Sequence, residues 1–227
     1  MTNKISSDNI FKIKRAKFYL PHHKTDGISQ CIVGLNNYWD TDALDLIDKY
    51  LPDNAIILDI GANVGSHTVY WTLERNAKKI YSFEPLPDTF EILKTNIRLN
   101  RIKTRTKLYN IALSDEVCKG SIKFYTEINI GGTSFKKDPN GKIDFKPLDK
   151  IRIPQKIDLI KIDVEGSEVN VLKGALKTIV KNKPVIVIET YDYKKEVDNF
   201  MDSISYKLVE TIREGEDYIY KYKEEDV

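Results

Sequence analysis

Five short runs rich in isoleucine and valine, separated by helical patterns, constrain the fold of this chain more than any other feature. The runs are apolar at successive positions, so both of their faces would be buried, as is typical of strands in a parallel sheet. Strands that alternate with helices predict a three-layer α/β sandwich with a mostly parallel sheet. The runs span residues 55–60, 79–84, 106–113, 157–164 and 184–189.

Three segments depart from this alternation. Residues 115–150 contain short apolar stretches between Gly, Pro and Asn turns, which predicts a β-rich insertion. Residues 206–223 read as two strands joined by "EGED", so we expect a C-terminal antiparallel hairpin on the sheet. Residues 1–50 precede the first buried run and are predicted to form a cap on the substrate side, with a helix within 38–51. Residues 51–227 would then form the main domain.

The bulk properties exclude several function classes. The 227 residues include 36 basic and 34 acidic ones, a balance that gives no reason to expect a nucleic acid partner. Two distant cysteines, Cys31 and Cys118, fit no disulfide framework or metal spacing. No stretch approaches the roughly 20 apolar residues that span a bilayer. We therefore expect a cytoplasmic protein without a membrane span, and the sequence leaves its oligomeric state open.

A glycine turn follows the first buried run. Gly61 and Gly65 bracket the point where the strand must turn into a helix, and glycine there lets the backbone approach a ligand closely. The dinucleotide fingerprint G-x-G-x-x-G is absent, and Asp59 stands two residues before the first glycine. A carboxylate at this position suits a cationic or hydroxyl-bearing ligand better than a pyrophosphate.

Glu84 ends the second run, twenty-five positions after Asp59. An acidic residue at the end of the second strand is placed to accept hydrogen bonds from the hydroxyls of a ribose. A ligand with a ribose but without anchoring phosphates fits S-adenosylmethionine.

With these motifs the chain resembles the FkbM-type S-adenosylmethionine-dependent methyltransferases. Five separated motifs agree in order and spacing over residues 38–190: "DIGANVG", "FEP", "NIRLN", "ALSD" and "LIKIDVEGSEVNVLKGA". The resemblance implies the class I methyltransferase sandwich, a Rossmann-like fold. It also implies O-methylation, often of a sugar or polyketide hydroxyl, and we expect a sugar or glycan precursor as the acceptor.

The resemblance also implies roles for individual residues. The turn, with Gly61, Ala62, Asn63 and Gly65, would wrap the methionine part of the cofactor, while Asp59 would orient the turn or reach the amino group through water. Glu84 and Pro85 would hold the ribose. A segment after the third strand would flank the adenine, namely Ala112, Leu113 and Ser114.

Acidic residues follow the last two buried runs. Asp163 and Glu165 end the fourth run and Glu189 ends the fifth, so all three should face the ligand crevice. Glu168 lies one helical turn later and is expected to cap its helix. Methyl transfer to a hydroxyl requires removal of the hydroxyl proton during attack. These acids could supply the base, Asp163 being the first choice, or Asp163 and Glu189 could bind Mg²⁺ or Mn²⁺.

Other polar residues are weaker candidates, each with a plain structural alternative. A packed or cofactor-adjacent position is more typical of His67 than the role of a base. His22 and His23 could reach the acceptor from the cap, but surface positions are more typical of them. Tyr38 and Trp39 could cover a sulfonium by cation–π contact. The loop at 128–135 is expected beside the crevice. Two other functions stay open: a methyltransferase that acts on nucleic acid or on another small molecule, and a non-catalytic cofactor-binding module.

Overall fold

A computed structural model describes residues 6–212 and 215–223. The strands, in chain order, are β1 (Ile10–Ile13), β2 (Ala16–Tyr19), β3 (Ile56–Ile60), β4 (Lys79–Phe83), β5 (Thr106–Tyr109), β6 (Ala112–Leu113), β7 (Cys118–Phe124), β8 (Ser134–Lys137), β9 (Ile143–Lys146), β10 (Leu159–Ile162), β11 (Val185–Glu189), β12 (Tyr206–Ile212) and β13 (Asp217–Tyr222). The helices are α1 (Gly27–Leu35), α2 (Thr41–Ile47), α3 (Ser66–Leu73), α4 (Pro87–Leu99), α5 (Glu168–Gly174), α6 (Leu176–Asn182) and α7 (Lys194–Ser203).

The central sheet has seven strands in the order β12-β13-β11-β10-β3-β4-β5. All neighbours from β11 to β5 pair in parallel, and β13 alone runs antiparallel to both of its neighbours. The predicted mostly parallel sheet with a C-terminal hairpin is therefore confirmed. The turn predicted at "EGED" begins at Glu214, which lies outside the described residues.

Two apolar layers enclose the sheet. Val69 and Trp71 of α3 pack on one face with Leu93 of α4, and Val171 of α5 packs on the other with Val197 of α7. The strands between these layers are buried on both faces. Strand β3 is an example, since it is buried at every position and carries mostly isoleucine and leucine. This arrangement confirms the three-layer α/β sandwich.

The third predicted run, residues 106–113, gives a boundary error that matters for the site. Residues 106–113 were expected to form one strand, but the chain leaves the central sheet after β5. The two-residue strand β6 pairs with β9 and opens a second sheet with the order β6-β9-β7-β8. The insertion therefore begins at Ala112, and its first strand lies at the end of the central sheet where a ligand would bind.

The N-terminal segment contains more than the expected helix. Strands β1 and β2 form a hairpin that binds α4, where Asn96 accepts a hydrogen bond from the backbone N–H of Tyr19. The helix expected within 38–51 is α2, followed by a short 3₁₀ turn at Asp48–Tyr50. Only part of the segment reaches the ligand end of the sheet, namely Gly27, Ile28 and Cys31 of α1 together with Trp39.

Candidate active site

The carboxyl ends of β3, β4 and β10 open into a cavity of about 420 Å³, which we call the inner cavity. This volume lies within the range of small-molecule sites. Apolar side chains from the insertion and from α1 close it on the other side, among them Ile28, Ile130 and Phe145. The cavity therefore lies where open α/β sheets bind their ligands.

The glycine turn shapes the floor of the inner cavity. Gly61 has φ 81°, and a Cβ there would lie 1.7 Å from the carbonyl oxygen of Asp163. Any side chain at Gly61 would push the ends of β3 and β10 apart. Gly65 has φ 88° and is the N-cap of α3. A Cβ at Gly65 would lie 2.5 Å from the side chain of Leu93 in α4. Both glycines are thus required by close packing as well as by backbone conformation.

Glu84 lines the inner cavity beside the turn, and it is buried. Its two carboxylate oxygens accept hydrogen bonds from the backbone N–H groups of Asn63 (2.9 Å) and Leu86 (2.8 Å). Burial raises the pKa of Glu84 to about 7, against the lowering effect of these two hydrogen bonds. Each oxygen keeps acceptor capacity for a ligand hydroxyl.

The ten residues predicted to bind the cofactor fall into two groups. Those on the wall of the inner cavity are Gly61, Asn63, Glu84, Pro85, Ala112 and Leu113. Those buried behind the wall are Asp59, Ala62, Gly65 and Ser114. Members of the second group support the first, since Asp59 accepts a 2.5 Å hydrogen bond from Thr68 and so joins the end of β3 to α3. Ser114, which was predicted to flank the adenine, belongs to this second group, and its hydroxyl donates to Asp115 where the chain turns into the second sheet.

Lys161, inside strand β10, was missed from the sequence. It is buried, and its Nζ lies 2.7 Å from Asp163 Oδ2 and 4.0 Å from Asp59 Oδ1. Burial lowers the pKa of Lys161, but the charges of Asp163 and Asp59 outweigh it and raise the pKa above the ordinary value. A lysine within an otherwise apolar strand was the available signal, because a buried lysine requires an acidic partner.

Glu165 differs from Asp163 in both backbone and partners. It has φ 52°, a left-handed conformation that is uncommon for a residue other than glycine and clusters at functional sites. No described residue donates a hydrogen bond to its carboxylate. Burial, followed by the charges of Asp163 and Glu168, raises the pKa of Glu165 to about 7. Glu168 itself accepts a hydrogen bond from the N–H of Gly166 at the start of α5.

A second opening of about 400 Å³, which we call the outer cleft, adjoins the inner cavity. Asp163, Glu165 and Glu189 line both, so the three predicted catalytic acids do converge. Glu189 accepts a hydrogen bond from the hydroxyl of Tyr191. The structure therefore brings the strand-end acids together at the boundary of two spaces.

The loop 128–133 and the start of α1 join to form a roof over the inner cavity. Asp26 is buried and caps α1 by accepting from the N–H of Ser29, while its other oxygen accepts from the N–H of Ile130 at 3.0 Å. The N–H of Gly27 donates to the carbonyl of Ile128. The expectation that this loop lies beside the crevice agrees with its position, whereas the role of Asp26 was not foreseen.

The weaker candidates lie at different distances from the cavity. Trp39 lines the inner cavity, while Tyr38 donates its hydroxyl to Glu74 and packs in the core. His67 is buried, with Nε2 3.2 Å from the carbonyl of Trp39. His22 and His23 lie in the turn before α1, where the ring of His23 packs on Phe11. Tyr38, His22 and His23 therefore pack elsewhere in the fold and do not line the inner cavity.

The acids do not form a metal site. Among the residues that the structure describes, no group of three or more His, Cys, Asp or Glu side chains could hold an ion. Of the two proposed ligands, Asp163 already pairs with Lys161, which would repel a cation. The donor set therefore does not fit Mg²⁺ or Mn²⁺.

The fold is shared with solved structures of other proteins, and these identify the class of protein. The structure is similar to methyltransferase FkbM from Methylobacillus flagellatus, with a TM-score of 0.58 and 21% identity over 75% of this chain and 44% of that one. It is also similar to TYW2 of M. jannaschii in complex with AdoMet, with a TM-score of 0.51 and 12% identity over 94% of this chain and 86% of that one. These likenesses confirm the class I methyltransferase fold.

The family follows from the sequence. The methyltransferase FkbM domain matches residues 59–220, so the chain belongs to the FkbM methyltransferase family, as its motifs suggested. Methyltransferase sdnD of Sordaria araneosa is 26% identical over 63% of this chain and 68% of its own length. The hexuronic acid methyltransferase AglP of Haloferax volcanii is 26% identical over 65% and 61%. The chain thus spans about two thirds of these curated relatives.

The described residues contain no helix that is both long and apolar enough to cross a bilayer.

Proposed function

We propose that this chain is an S-adenosylmethionine-dependent O-methyltransferase that acts on a hydroxyl of a sugar or glycan precursor. The observation that carries the proposal is the position of Glu165 between two spaces. On one side Glu84 lines a cavity of cofactor size, and on the other a polar cleft leads to solvent. A carboxylate at such a boundary can reach both a methyl donor and an acceptor.

The inner cavity fits the cofactor that the family implies. Glu84 offers both oxygens to the ribose hydroxyls, and Asn63 and the turn at Gly61 would contact the amino-acid tail. Ala112 and Leu113, with Phe83 and Ile111, provide an apolar wall for the adenine. The bound cofactor supplies an electrophilic methyl group on a positively charged sulfur.

The chain's own residues would then position the acceptor and take its proton. Glu165 has a pKa of about 7 and no donor among the described residues, so it can accept a proton near neutral pH. Asp163 is held by Lys161 and is proposed to orient the site rather than to act as the base. Glu189, fixed by Tyr191, would hold a second hydroxyl of the acceptor.

The segments that border the site complete the proposal. We assign residues 1–50 to a cap and the insertion at about 115–150 to the acceptor side, since α1 and the loop 128–133 form the roof. The named substrate of AglP supports a sugar acceptor. Cys31 and Cys118 are both free thiols, which supports a reducing, cytoplasmic setting.

Titration calorimetry with S-adenosylmethionine and with NAD tests the cofactor assignment. We expect S-adenosylmethionine to bind and NAD to give no heat, because the turn lacks the dinucleotide fingerprint. Binding of NAD alone would contradict the proposal.

The acceptor is tested by comparing methylated sugars in cells with and without the gene. One methyl ether should be lost on deletion of the gene, and an unchanged sugar profile would argue against a glycan acceptor.

A further inference from the structure

A second pocket, which we call the basic pocket, lies at the end of the central sheet opposite to the inner cavity. It has a volume of about 580 Å³ and lies at the amino ends of β10 and β11, next to the end of β13. Strand β11 has five residues, which span about 16 Å, so a ligand in the basic pocket would not reach the inner cavity. Four lysines line the pocket, and no acid does so in the part of the chain that the structure describes: Lys156, Lys181, Lys183 and Lys221.

The positive charge of these lysines is not neutralised. None of the four ammonium groups forms an ion pair with an acid among the described residues. The acid that lies closest along the chain is Asp158, whose Oδ2 accepts a hydrogen bond from the backbone N–H of Ile56 at 2.8 Å. Lys207 lies directly opposite Lys221 in the β12–β13 ladder, and like charges at such positions destabilise an antiparallel pair. Positive charge is therefore concentrated at this end of the sheet, although the net charge of the chain is only +2.

The four lysines come from three separate elements. The negative end of a helix dipole favours Lys181 and Lys183 at the end of α6, so these two alone would not indicate a ligand. Lys183 nevertheless has φ 50°, a left-handed conformation that glycine or asparagine usually adopts at a helix end. Lys156 lies in the loop before β10, which is fixed to α6 because Asn182 accepts a hydrogen bond from the backbone N–H of Ile157 at 3.1 Å. Strand β13 supplies the fourth lysine, and no helix dipole accounts for the last two.

Aromatic rings hold two of the cations in place. The Nζ atom of Lys183 lies 3.8 Å from the centre of the Tyr222 ring, and that of Lys221 lies 5.7 Å from the centre of the Tyr50 ring. An aromatic ring attracts a cation through its quadrupole and leaves the full charge in place. Both ammonium groups are therefore positioned beside the pocket and remain able to bind an anion.

We propose that the basic pocket is a second ligand site and that it binds a compact oligophosphate, an anion with two or three linked phosphate groups. Lysine binds phosphate as a point charge, and four lysines balance the several negative charges of such an anion. The volume of the pocket lies within the range of small-molecule sites, and its concave shape suits a compact anion better than a flat lipid surface. A free oligophosphate and the diphosphate group of a larger molecule share this chemistry.

Titration calorimetry on the full chain, in buffer without divalent cations, tests the site with tripolyphosphate, pyrophosphate and orthophosphate. We expect one tripolyphosphate to bind per chain, at least about tenfold more tightly than orthophosphate. Sodium chloride at about 0.5 M should weaken the binding, because salt screens exposed charges. UDP is the probe for a diphosphate on a larger molecule, and an affinity above that of pyrophosphate would assign the site to such a molecule.

The full chain also includes residues 224–226, which are acidic. If these acids neutralised the pocket, no tripolyphosphate would bind. An absence of binding overturns the proposal, and so does an equal affinity for orthophosphate.

A matched pair of double variants locates the binding. Lys183→Gln with Lys221→Gln should weaken tripolyphosphate binding at least about tenfold, whereas Lys173→Gln with Lys177→Gln, the same loss of charge outside the pocket, should not. Lys183→Arg with Lys221→Arg keeps both charges and should bind like the unmodified chain. All of these side chains are exposed, so the thermal unfolding midpoint should stay unchanged in each variant, as measured by circular dichroism. Equal weakening by the two Lys→Gln pairs would show a general charge effect and refute the site.

Cosedimentation with vesicles of phosphatidylglycerol separates a compact anion from an anionic membrane as the partner. We expect the chain to stay in the supernatant. Vesicle binding that requires Lys183 and Lys221, without binding of tripolyphosphate, would make a membrane surface the partner and overturn the proposal.

Discussion

Glu84 and Glu165 are two acids at the same edge of the sheet, and their pKa values are raised to the same value of about 7. Burial is the main cause in both cases. Their surroundings are nevertheless opposite, since Glu84 accepts two backbone hydrogen bonds while Glu165 accepts none from the described residues. The comparison teaches that a raised pKa alone does not identify a base. Two backbone hydrogen bonds fix the carboxylate of Glu84 for recognition and leave it acceptor capacity for a ligand, whereas their absence leaves the carboxylate of Glu165 available for proton transfer.

Removing the carboxylate of Glu165 is the strongest way to break this comparison. Glu165→Gln should lower turnover by about 10²–10⁴-fold, the range for general-base catalysis, and leave cofactor affinity nearly unchanged. The measurement is radiolabelled methyl transfer at saturating cofactor to the glycan fraction that loses its methyl group on gene deletion. Glu91→Gln, the same change on the exposed face of α4, serves as the control. Full activity of Glu165→Gln would return the role of base to Asp163, the first choice from the sequence.

The second prediction concerns the proposal that Asp163 is committed to an ion pair and does not act as the base. Lys161→Met removes the cation from between two acids and should lower the free energy of unfolding by about 3–5 kcal/mol, the cost of leaving buried charge unpaired. Urea denaturation measures this loss. Adding Asp163→Asn should recover part of it, and Lys173→Met on the exposed face of α5 should change little. A stable Lys161→Met protein would mean that Asp163 is not committed to the ion pair.

The smallest effect is a pH dependence that separates the two acids. Below about pH 7 Glu84 becomes protonated, and a neutral carboxyl accepts ribose hydroxyls less well, so cofactor affinity should fall as the pH falls. The decrease is at most about tenfold per pH unit, because one proton is displaced on binding. Calorimetry between pH 8 and pH 6 measures it. Glu84→Gln should bind more weakly but without this slope, while the rate at saturating cofactor should still fall through Glu165. An unchanged slope in Glu84→Gln would show that another group titrates.

The layers of the fold and the ligand end of the sheet could be predicted from the sequence because both depend on local patterns. Runs such as 55–60 bury both faces and can only be internal strands. The strand-end acids could be placed for the same reason, since parallel strands bring their carboxyl ends to one edge. The shift from β5 into β6 was missed because residues 106–113 are continuously apolar, and such a run does not show where it changes sheets.

The rest of the site depends on contacts between distant parts of the chain. Asp26 accepts a hydrogen bond from the backbone N–H of Ile130, which lies 104 positions later in the chain. Lys161 forms its ion pair with Asp163 and not with Glu165. Neither relation has a periodic signature. Gly61 was recognised as a ligand-binding glycine, whereas the position of its missing Cβ against Asp163 becomes evident only when β3 and β10 are neighbours.

The bond between Asp26 and Ile130 also has a consequence for synthesis of the protein. The N-terminal segment leaves the ribosome long before its partner loop exists, and the floor beneath both requires β10 and β11, which come later still. Contacts of such high sequence separation form slowly. Ile28 and its neighbours on α1 therefore lack their contacts with this loop until residues 128–133 have been synthesised, and we expect the nascent chain to become competent for its ligand only after β11 has been made.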